Sequence, residues 1–66
     1  MKIFANGKER EIAGKRSVAG LIADLGLDPR FVIVEYNGEP LERKRFDEIL
    51  LANDDRLELV RAVAGG

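Results

Sequence analysis

The last two residues of the chain, Gly65 and Gly66, offer the clearest opportunity for chemistry in this sequence. Because the sequence ends there, we expect a free carboxylate on an arm without Cβ atoms. Glycine adopts backbone conformations that other residues avoid and permits close approach of another backbone, so such an arm fits a narrow slot. The alternative is a frayed terminus without a function, since chain ends are often poorly ordered. The elements that precede the pair decide between these two interpretations.

The amino-acid composition excludes most forms of autonomous catalysis. The 66 residues make one small domain, with no Cys and no His. The chain therefore has no thiol nucleophile, no imidazole base and none of the usual zinc ligands. It also has no phosphate-binding loop of the G-x-x-x-x-G-K type. We expect no catalytic residues, no bound cofactor and no metal, so any chemistry at Gly66 belongs to another protein.

Charge and hydropathy limit the partners and the location. The chain carries 11 basic and 12 acidic residues, interspersed, for a net charge of −1. No overall field attracts nucleic acid to such a surface. No apolar stretch approaches the about 20 residues that cross a bilayer, and the first residues lack the apolar run of a signal peptide. We expect a cytoplasmic protein that binds neither nucleic acid nor membranes.

Two Asn-Gly pairs, Asn6-Gly7 and Asn37-Gly38, predict hairpin turns. Both central residues of a two-residue hairpin loop need positive φ, which Asn and Gly tolerate. The runs on either side are β-branched, aromatic or alternating, as strands are. The predicted strands span residues 3–5, 8–12, 31–36 and 39–41, and the last of these is an edge strand that tolerates Pro40.

One amphipathic helix is predicted between the hairpins. It begins after Ser17, whose hydroxyl suits an N-cap, and its apolar residues have the i, i+3, i+4, i+7 spacing of one helical face. These residues are Val18, Leu21, Ile22 and Leu25. Gly26 suits the left-handed position after a helix, with Leu27 as the apolar residue that packs back. Gly20 inside the helix costs about 1 kcal/mol relative to Ala and indicates close packing.

The remaining segment supplies a short helix, a loop and the last strand. Charged residues in 42–50 surround apolar residues at helical spacing, which predicts one or two helical turns. These apolar residues are Phe46, Ile49 and Leu50. Asn53-Asp54-Asp55 predicts a loop, because Asp and Asn bond to nearby backbone groups. Alternation over 56–61 predicts a final strand with Leu57 and Leu59 facing inward.

In order, these elements predict an α+β architecture, a mixed sheet of four or five strands with one main helix on one face. We assign residues 1–61 to this domain and 62–66 to a flexible tail. The order resembles the ubiquitin-like β-grasp fold. Over essentially its whole length the chain resembles the ThiS family, the sulfur carrier proteins of thiamine biosynthesis. The segments that carry this resemblance are Asn6-Gly7-Lys8, residues 32–37, 45–50 and 54–59, and Val63-Ala64-Gly65-Gly66.

The resemblance implies that this chain is a substrate of other enzymes. In that family an E1-like (ThiF-like) adenylyltransferase uses ATP to adenylate the C-terminal carboxylate. Sulfur from a persulfide, supplied by a donor such as a cysteine desulfurase, then displaces AMP and leaves a thiocarboxylate. A thiazole synthase (ThiG-like) takes the sulfur for the thiazole ring. By this resemblance Gly66 is the carrier terminus and Gly65 its neighbour in the slot, while the ATP is bound by the activating partner.

Partner contacts are predicted on the face of the sheet that the helix leaves uncovered. With Ile3 and Ala5 facing inward, period-two alternation places Phe4 outward, and the same argument places Ile33 and Val60 outward. Exposed apolar patches often mark protein contacts, although scattered exposed apolar residues are ordinary. The predicted partner-binding residues are Phe4, Ile33, Val60, Val63 and Ala64. Many members of the family carry an aromatic residue just before the tail, and this chain has none there.

Two other functions stay open from the sequence. The small subunit of molybdopterin synthase shares the fold and the terminal glycine pair, but such proteins are longer and often have aromatic-proline residues before the tail. A ubiquitin-like protein modifier or binding module would have its tail conjugated to lysines or unused. The short chain and its tail sequence favour the thiamine branch, on family resemblance.

Overall fold

A computed structural model of the protein describes residues 1–62, and the predictions for Val63 to Gly66 lie outside the described residues. One α-helix and one five-stranded sheet account for the described elements. They are β1 (Lys2–Ala5), β2 (Lys8–Glu11), α1 (Val18–Asp24), β3 (Val32–Tyr36), β4 (Glu39–Leu41) and β5 (Arg56–Arg61). Two short 3-10 turns span Pro29–Phe31 and Arg43–Arg45. No helix within residues 1–62 has the length and apolar character to cross a membrane.

The sheet is mixed and places the last strand at its centre. The strand order is β2-β1-β5-β3-β4. β5 runs parallel to β1 on one side and antiparallel to β3 on the other, while the two hairpins form the outer pairs. The strand that leads toward the C-terminus is therefore held between two neighbours, and the edges of the sheet are β2 and β4. This confirms the predicted mixed sheet with one helix.

Both predicted hairpin turns are confirmed. Asn6 and Gly7 have φ of 53° and 80°, and Asn37 and Gly38 have φ of 51° and 86°. The side chain of Asn6 does more than permit the turn. Its Oδ1 accepts from the backbone N–H of Leu59 at 2.7 Å, and its Nδ2 donates to the carbonyl of Leu59 at 3.1 Å. The Asn6 side chain thus continues the pairing with β5 beyond the end of β1.

The ends of α1 follow the predicted capping chemistry. Ser17 Oγ accepts from the backbone N–H of Gly20 at 3.0 Å, as an N-cap does. At the other end Gly26 has φ of 72°, and its N–H donates to the carbonyl of Ala23 at 3.0 Å. The N–H of Leu27 donates to the carbonyl of Ile22 at 3.1 Å. This pair of bonds is the Schellman motif, which turns the chain out of the helix.

Gly20 is packed closely, as predicted, and its neighbour is Arg16. A Cβ at Gly20 would lie 2.9 Å from Arg16 Nε. The Arg16 guanidinium lies over the glycine, donates to its carbonyl at 3.2 Å and pairs with the Asp24 carboxylate. A side chain at position 20 would displace this guanidinium from the helix surface.

The core lies between α1 and the inner face of the sheet. Its buried apolar residues are Ile3, Ala5, Val18, Leu21, Ile22, Val32, Val34, Phe46, Leu51, Leu57 and Leu59. Leu25, predicted to be buried, is only partly buried at the end of α1. Leu50, which helical spacing grouped with Phe46 and Ile49, is 57% exposed, whereas Leu51 is 4% exposed. This segment forms a 3-10 turn and then an extended bridge between Leu50 and Ser17, so neighbouring side chains face opposite sides.

Candidate functional site

The candidate site is the tail base, which consists of Arg61 and Ala62 and directly precedes residues 63–66. Gly66, Gly65, Val63 and Ala64 lie outside the described residues. The last described tie is a hydrogen bond from the Ala62 N–H to the Phe31 carbonyl, 2.7 Å long. The four residues after Ala62 reach at most about 14 Å when fully extended. Whatever acts on Gly66 must therefore come close to Ala62 and its surroundings.

On the outer face of the sheet, two apolar side chains lie next to the tail base. Ile33 and Val60 are directly paired across β3 and β5, and they are 57% and 58% exposed. Both are predicted partner-binding residues, and the structure brings them together. Val60 is two residues before Ala62, so any protein that surrounds the tail base meets this pair.

The structure separates Phe4, the third predicted member of this patch, from the other two. Phe4 pairs with Arg56 at the start of β5. Arg56 and Val60 are four positions apart on β5, which corresponds to about 13 Å along a strand. The Phe4 ring is also covered by cations, with the Arg56 guanidinium carbon 4.4 Å and Lys2 Nζ 5.5 Å from its centroid. The separation arises from the register between β1 and β5, which alternation within each strand does not specify.

A groove lies on the other side of the tail base. Its volume is about 410 Å³. It is lined by Gly26, Leu27, Asp28, Phe31, Val32, Arg61 and Ala62. Phe31 is 45% exposed, and it ends the 3-10 turn instead of lying in β3 as predicted. Strand alternation gives no signal for Phe31, because Phe31 lies in the 3-10 turn and β3 begins only at Val32.

The charge on Asp28, at the rim of this groove, is taken up locally. Asp28 Oδ2 accepts from Arg30 Nη2 at 2.8 Å, and Asp28 Oδ1 accepts from the Arg30 backbone N–H at 2.9 Å. These bonds, the side-chain bond first, lower the pKa of Asp28 to about 2. The carboxylate therefore stays ionised and paired at neutral pH, and it caps the turn that presents Phe31.

The buried acid of the domain, Asp55, has a structural role. Its carboxylate accepts from the Tyr36 hydroxyl at 2.6 Å, from Asn37 Nδ2 at 3.1 Å and from the Ala52 N–H at 2.7 Å. The bond to Ala52 confirms that the Asp54-Asp55 segment forms a turn through side-chain to backbone bonding. Within residues 1–62, no group of three or more potential ligand side chains is placed to hold a metal ion.

Fold and site together define a class of protein. The fold is a ubiquitin-like β-grasp domain in which the central strand of the sheet leads into a terminal Gly65-Gly66 pair. Apolar surfaces lie on both sides of the point where the tail begins.

The comparisons with known proteins then give the family. The sequence profile of the ThiS family matches residues 3–66. The chain belongs to the ThiS family, whose members are sulfur carriers of thiamine biosynthesis. It is 36% identical over 50 residues to the sulfur carrier protein ThiS of Bacillus subtilis strain 168, with 76% of each chain covered.

Two further similarities extend over the whole chain. A crystal structure of the thiamine biosynthesis protein ThiS from Geobacter metallireducens shares 33% identity, with a TM-score of 0.85 and 100% coverage of both chains. A thiazole synthase from Paramagnetospirillum magneticum is 35% identical over all 66 residues. This chain spans only 20% of the length of that thiazole synthase. These findings confirm the fold and the family that the sequence predicted.

Proposed function

We propose that this chain carries sulfur for the thiazole ring of thiamine as a thiocarboxylate on Gly66. The observation that carries the proposal is the match to the ThiS family, which extends through the terminal glycine pair to residue 66. The position of β5 supports it, because a central strand gives the tail a fixed base. The chain is then a substrate and carrier and has no catalytic activity of its own.

The chemistry follows from the reactivity of a carboxylate. A C-terminal carboxylate has a pKa of about 3.5, so it is ionised at neutral pH and is a poor electrophile. Its attack on the α-phosphorus of ATP releases pyrophosphate and gives an acyl adenylate. A persulfide sulfur then attacks the acyl carbon and AMP leaves. A thiol cleaves the S–S bond of the resulting acyl disulfide, which leaves a thiocarboxylate on Gly66 and a disulfide on the donor side.

The proposal assigns the remaining groups to partners. The sequence has no Gly-rich phosphate loop, so ATP is bound by an E1-like adenylyltransferase and this chain binds no cofactor. A cysteine desulfurase supplies the persulfide, and a thiazole synthase accepts the sulfur. Two relatives that match the whole of this chain are named thiazole synthase, which supports that acceptor. We place these reactions in the cytoplasm.

The length of the tail tests the proposal. An Ala added after Gly66, or deletion of Gly66, moves the carboxylate by about 3.3–3.6 Å along an extended arm. A misplacement of about 1 Å can cost 10²-fold in rate, so both variants should lose adenylation. Gly65→Val should fail as well, because its side chain blocks the slot. The assay is ATP–pyrophosphate exchange with the E1-like adenylyltransferase from the same genome.

Two controls accompany this assay. The thermal midpoint of each tail variant should equal that of the parent chain, since terminal residues contribute little to stability. Intact mass spectrometry of the parent protein, after incubation with the adenylyltransferase and a sulfur donor, should show one oxygen replaced by sulfur. Full exchange by the Ala-extended chain would refute the proposed role of Gly66, and a branched peptide on a lysine would identify a protein modifier instead.

A further inference from the structure

We propose that the groove beside Ala62 is a docking surface for the adenylating enzyme and that Phe31 is its principal contact. The inference rests on the proposed function and adds a site to it. The enzyme fills the groove with an apolar side chain that has a carboxylate next to it. The lining of the groove does not include Ile33 or Val60, the exposed pair across β3 and β5.

The reach of the tail places the groove inside the interface. From Ala62 to the carboxylate of Gly66 the chain extends at most about 14 Å, so the reaction centre of the enzyme lies within that distance of Ala62. An interface of ordinary size buries about 800 Å² on each partner, which is a circle of about 16 Å radius. Phe31 is hydrogen-bonded through its carbonyl to the Ala62 N–H at 2.7 Å. An enzyme that holds the tail therefore covers Phe31.

Phe31 is held in place before any partner arrives. The 3-10 turn Pro29–Phe31 is capped by Asp28, which accepts from the Arg30 N–H at 2.9 Å. The guanidinium of Arg43 donates to the Pro29 carbonyl at 2.9 Å and to the Arg30 carbonyl at 3.0 Å. The Arg30 guanidinium carbon lies 5.3 Å from the centroid of the Phe31 ring. These bonds fix the backbone that carries Phe31, and an aromatic side chain with two χ angles loses little conformational entropy on binding.

The lining of the groove indicates the chemistry of the occupant. Leu27, Phe31, Val32 and Ala62 make it apolar, so an apolar side chain fits it best. Asp28 on its rim is already paired with Arg30. Arg61, which also lines the groove, adds a positive charge at the start of the tail. Charge complementarity therefore calls for a carboxylate on the enzyme beside its apolar contact.

Kinetics of ATP–pyrophosphate exchange as a function of carrier concentration test this inference. Phe31→Ala should raise KM by about tenfold or more and leave kcat unchanged, because Phe31 contacts the enzyme but not the reacting atoms. Phe31→Leu, which keeps apolar volume in the groove, should restore most of the loss. Arg61→Glu should also raise KM. It provides a second test that does not depend on the packing of Phe31.

Leu50→Ala is the matched control. Leu50 is a large apolar residue that is 57% exposed, but it bridges to Ser17 at the opposite end of α1 from the groove. Its KM should equal that of the parent chain. Each variant is also checked for an unchanged thermal midpoint and for direct binding to the adenylyltransferase by calorimetry.

The outcomes separate this inference from the proposed function. If Phe31→Ala and Arg61→Glu both bind and react as the parent chain does, the groove is not a docking surface. Tighter binding of Phe31→Ala would show that residues 63–66 occupy the groove in the free protein, and that too overturns the inference. A parent chain that binds the enzyme without exchange refutes only the proposed chemistry, since the binding deficit of Phe31→Ala still decides the groove. A parent chain that does not bind refutes both.

Discussion

Replacement of Asp55 by Asn should destabilise the domain and release the titration of Tyr36. Asp55 is 8% exposed, and its carboxylate joins the β3–β4 turn, through Tyr36 and Asn37, to the loop before β5. Burial acts to raise the pKa of Asp55, but the hydrogen bonds from Tyr36, Ala52 and Asn37 outweigh it and hold that pKa below its usual range. The bond to Asp55, with burial adding to it, raises the pKa of Tyr36 to about 12.

The magnitude follows from the three groups that face Asp55, since all of them donate. Asn is similar in shape, but its amide NH₂ must face one of these donors in either orientation. The Asn37 amide cannot reverse to accept, because its Oδ1 already accepts from the Arg56 N–H at 2.8 Å. Hydrogen bonds to charged groups contribute about 1.5–3 kcal/mol and a buried unsatisfied group costs about 1–3 kcal/mol. We expect Asp55→Asn to lower the free energy of unfolding by about 2–4 kcal/mol.

The pH dependence of stability has a defined sign at each end. The pKa of Asp55 is lower in the folded state, so its contribution is present above the unfolded value of about 3.9 and is lost as pH falls through the folded value. The pKa of Tyr36 is raised on folding. Its contribution is present below about pH 10 and is lost as pH rises toward about 12. Both dependences should largely disappear in Asp55→Asn.

Urea denaturation across pH and ultraviolet titration of tyrosinate measure these effects. The titration is specific, because the sequence has one Tyr and no Trp. The pKa of Tyr36 should fall from about 12 toward its ordinary value in Asp55→Asn, with burial still acting to raise it. Asp54→Asn is the matched control, since Asp54 is exposed and paired only with Lys2 at 3.4 Å, so the change should cost about 1 kcal/mol or less. An Asp55→Asn protein with parental stability, or with Tyr36 still titrating near 12, would refute the reasoning.

Three further changes test the core, the turn and the outer face. Leu21→Ala should cost about 2–5 kcal/mol in urea denaturation, because Leu21 is 1% exposed, and a smaller loss than Ile49→Ala would contradict its place in the core. Asn6→Ala should cost about 2–3 kcal/mol, since it removes both bonds to Leu59 at a residue with φ of 53°; an unchanged midpoint would count against this. Val60→Asp should raise KM in the exchange assay without unfolding the protein, while Phe4→Ala should leave KM unchanged. If both substitutions raise KM equally, Phe4 belongs to the same partner-binding surface as Val60.

The sequence predicted well those features that depend on a few neighbouring residues. The positive φ at Asn6 and Asn37, the Ser17 cap and the Gly26 terminus each have a local chemical cause, so a single sequence contains the signal. For Leu50 and Leu51, neighbouring residues in the sequence do not decide which side chain is buried. Whether this segment continues as an α-helix or turns through a 3-10 conformation depends on its packing beneath α1, and that choice decides which of the two leucines is buried.

The candidate site shows the same division. The family was predicted from the order of elements and is confirmed, whereas the role of Gly66 stays a prediction. The groove was not predicted, because it forms where three segments that are distant in the chain meet, namely the end of α1, the turn at Pro29–Phe31 and the end of β5. The separation of Phe4 from Val60 likewise depends on the register of β1 against β5, which only the folded sheet specifies.

The backbone pairing of β5 is two-sided at its start and one-sided toward Ala62. β1 pairs with β5 only through Phe4–Arg56 and Ala5–Leu57, and then turns away. The Asn6 side chain supplies one further pair of hydrogen bonds, to Leu59. Beyond Leu59 the described contacts of the β5 backbone are with β3 and with Phe31. Pairing therefore decreases stepwise along β5 toward Ala62, so local opening should begin at the tail base and leave Arg56–Leu59 intact. A partner can separate the tail base from Phe31 at the cost of very few bonds while the core keeps its position.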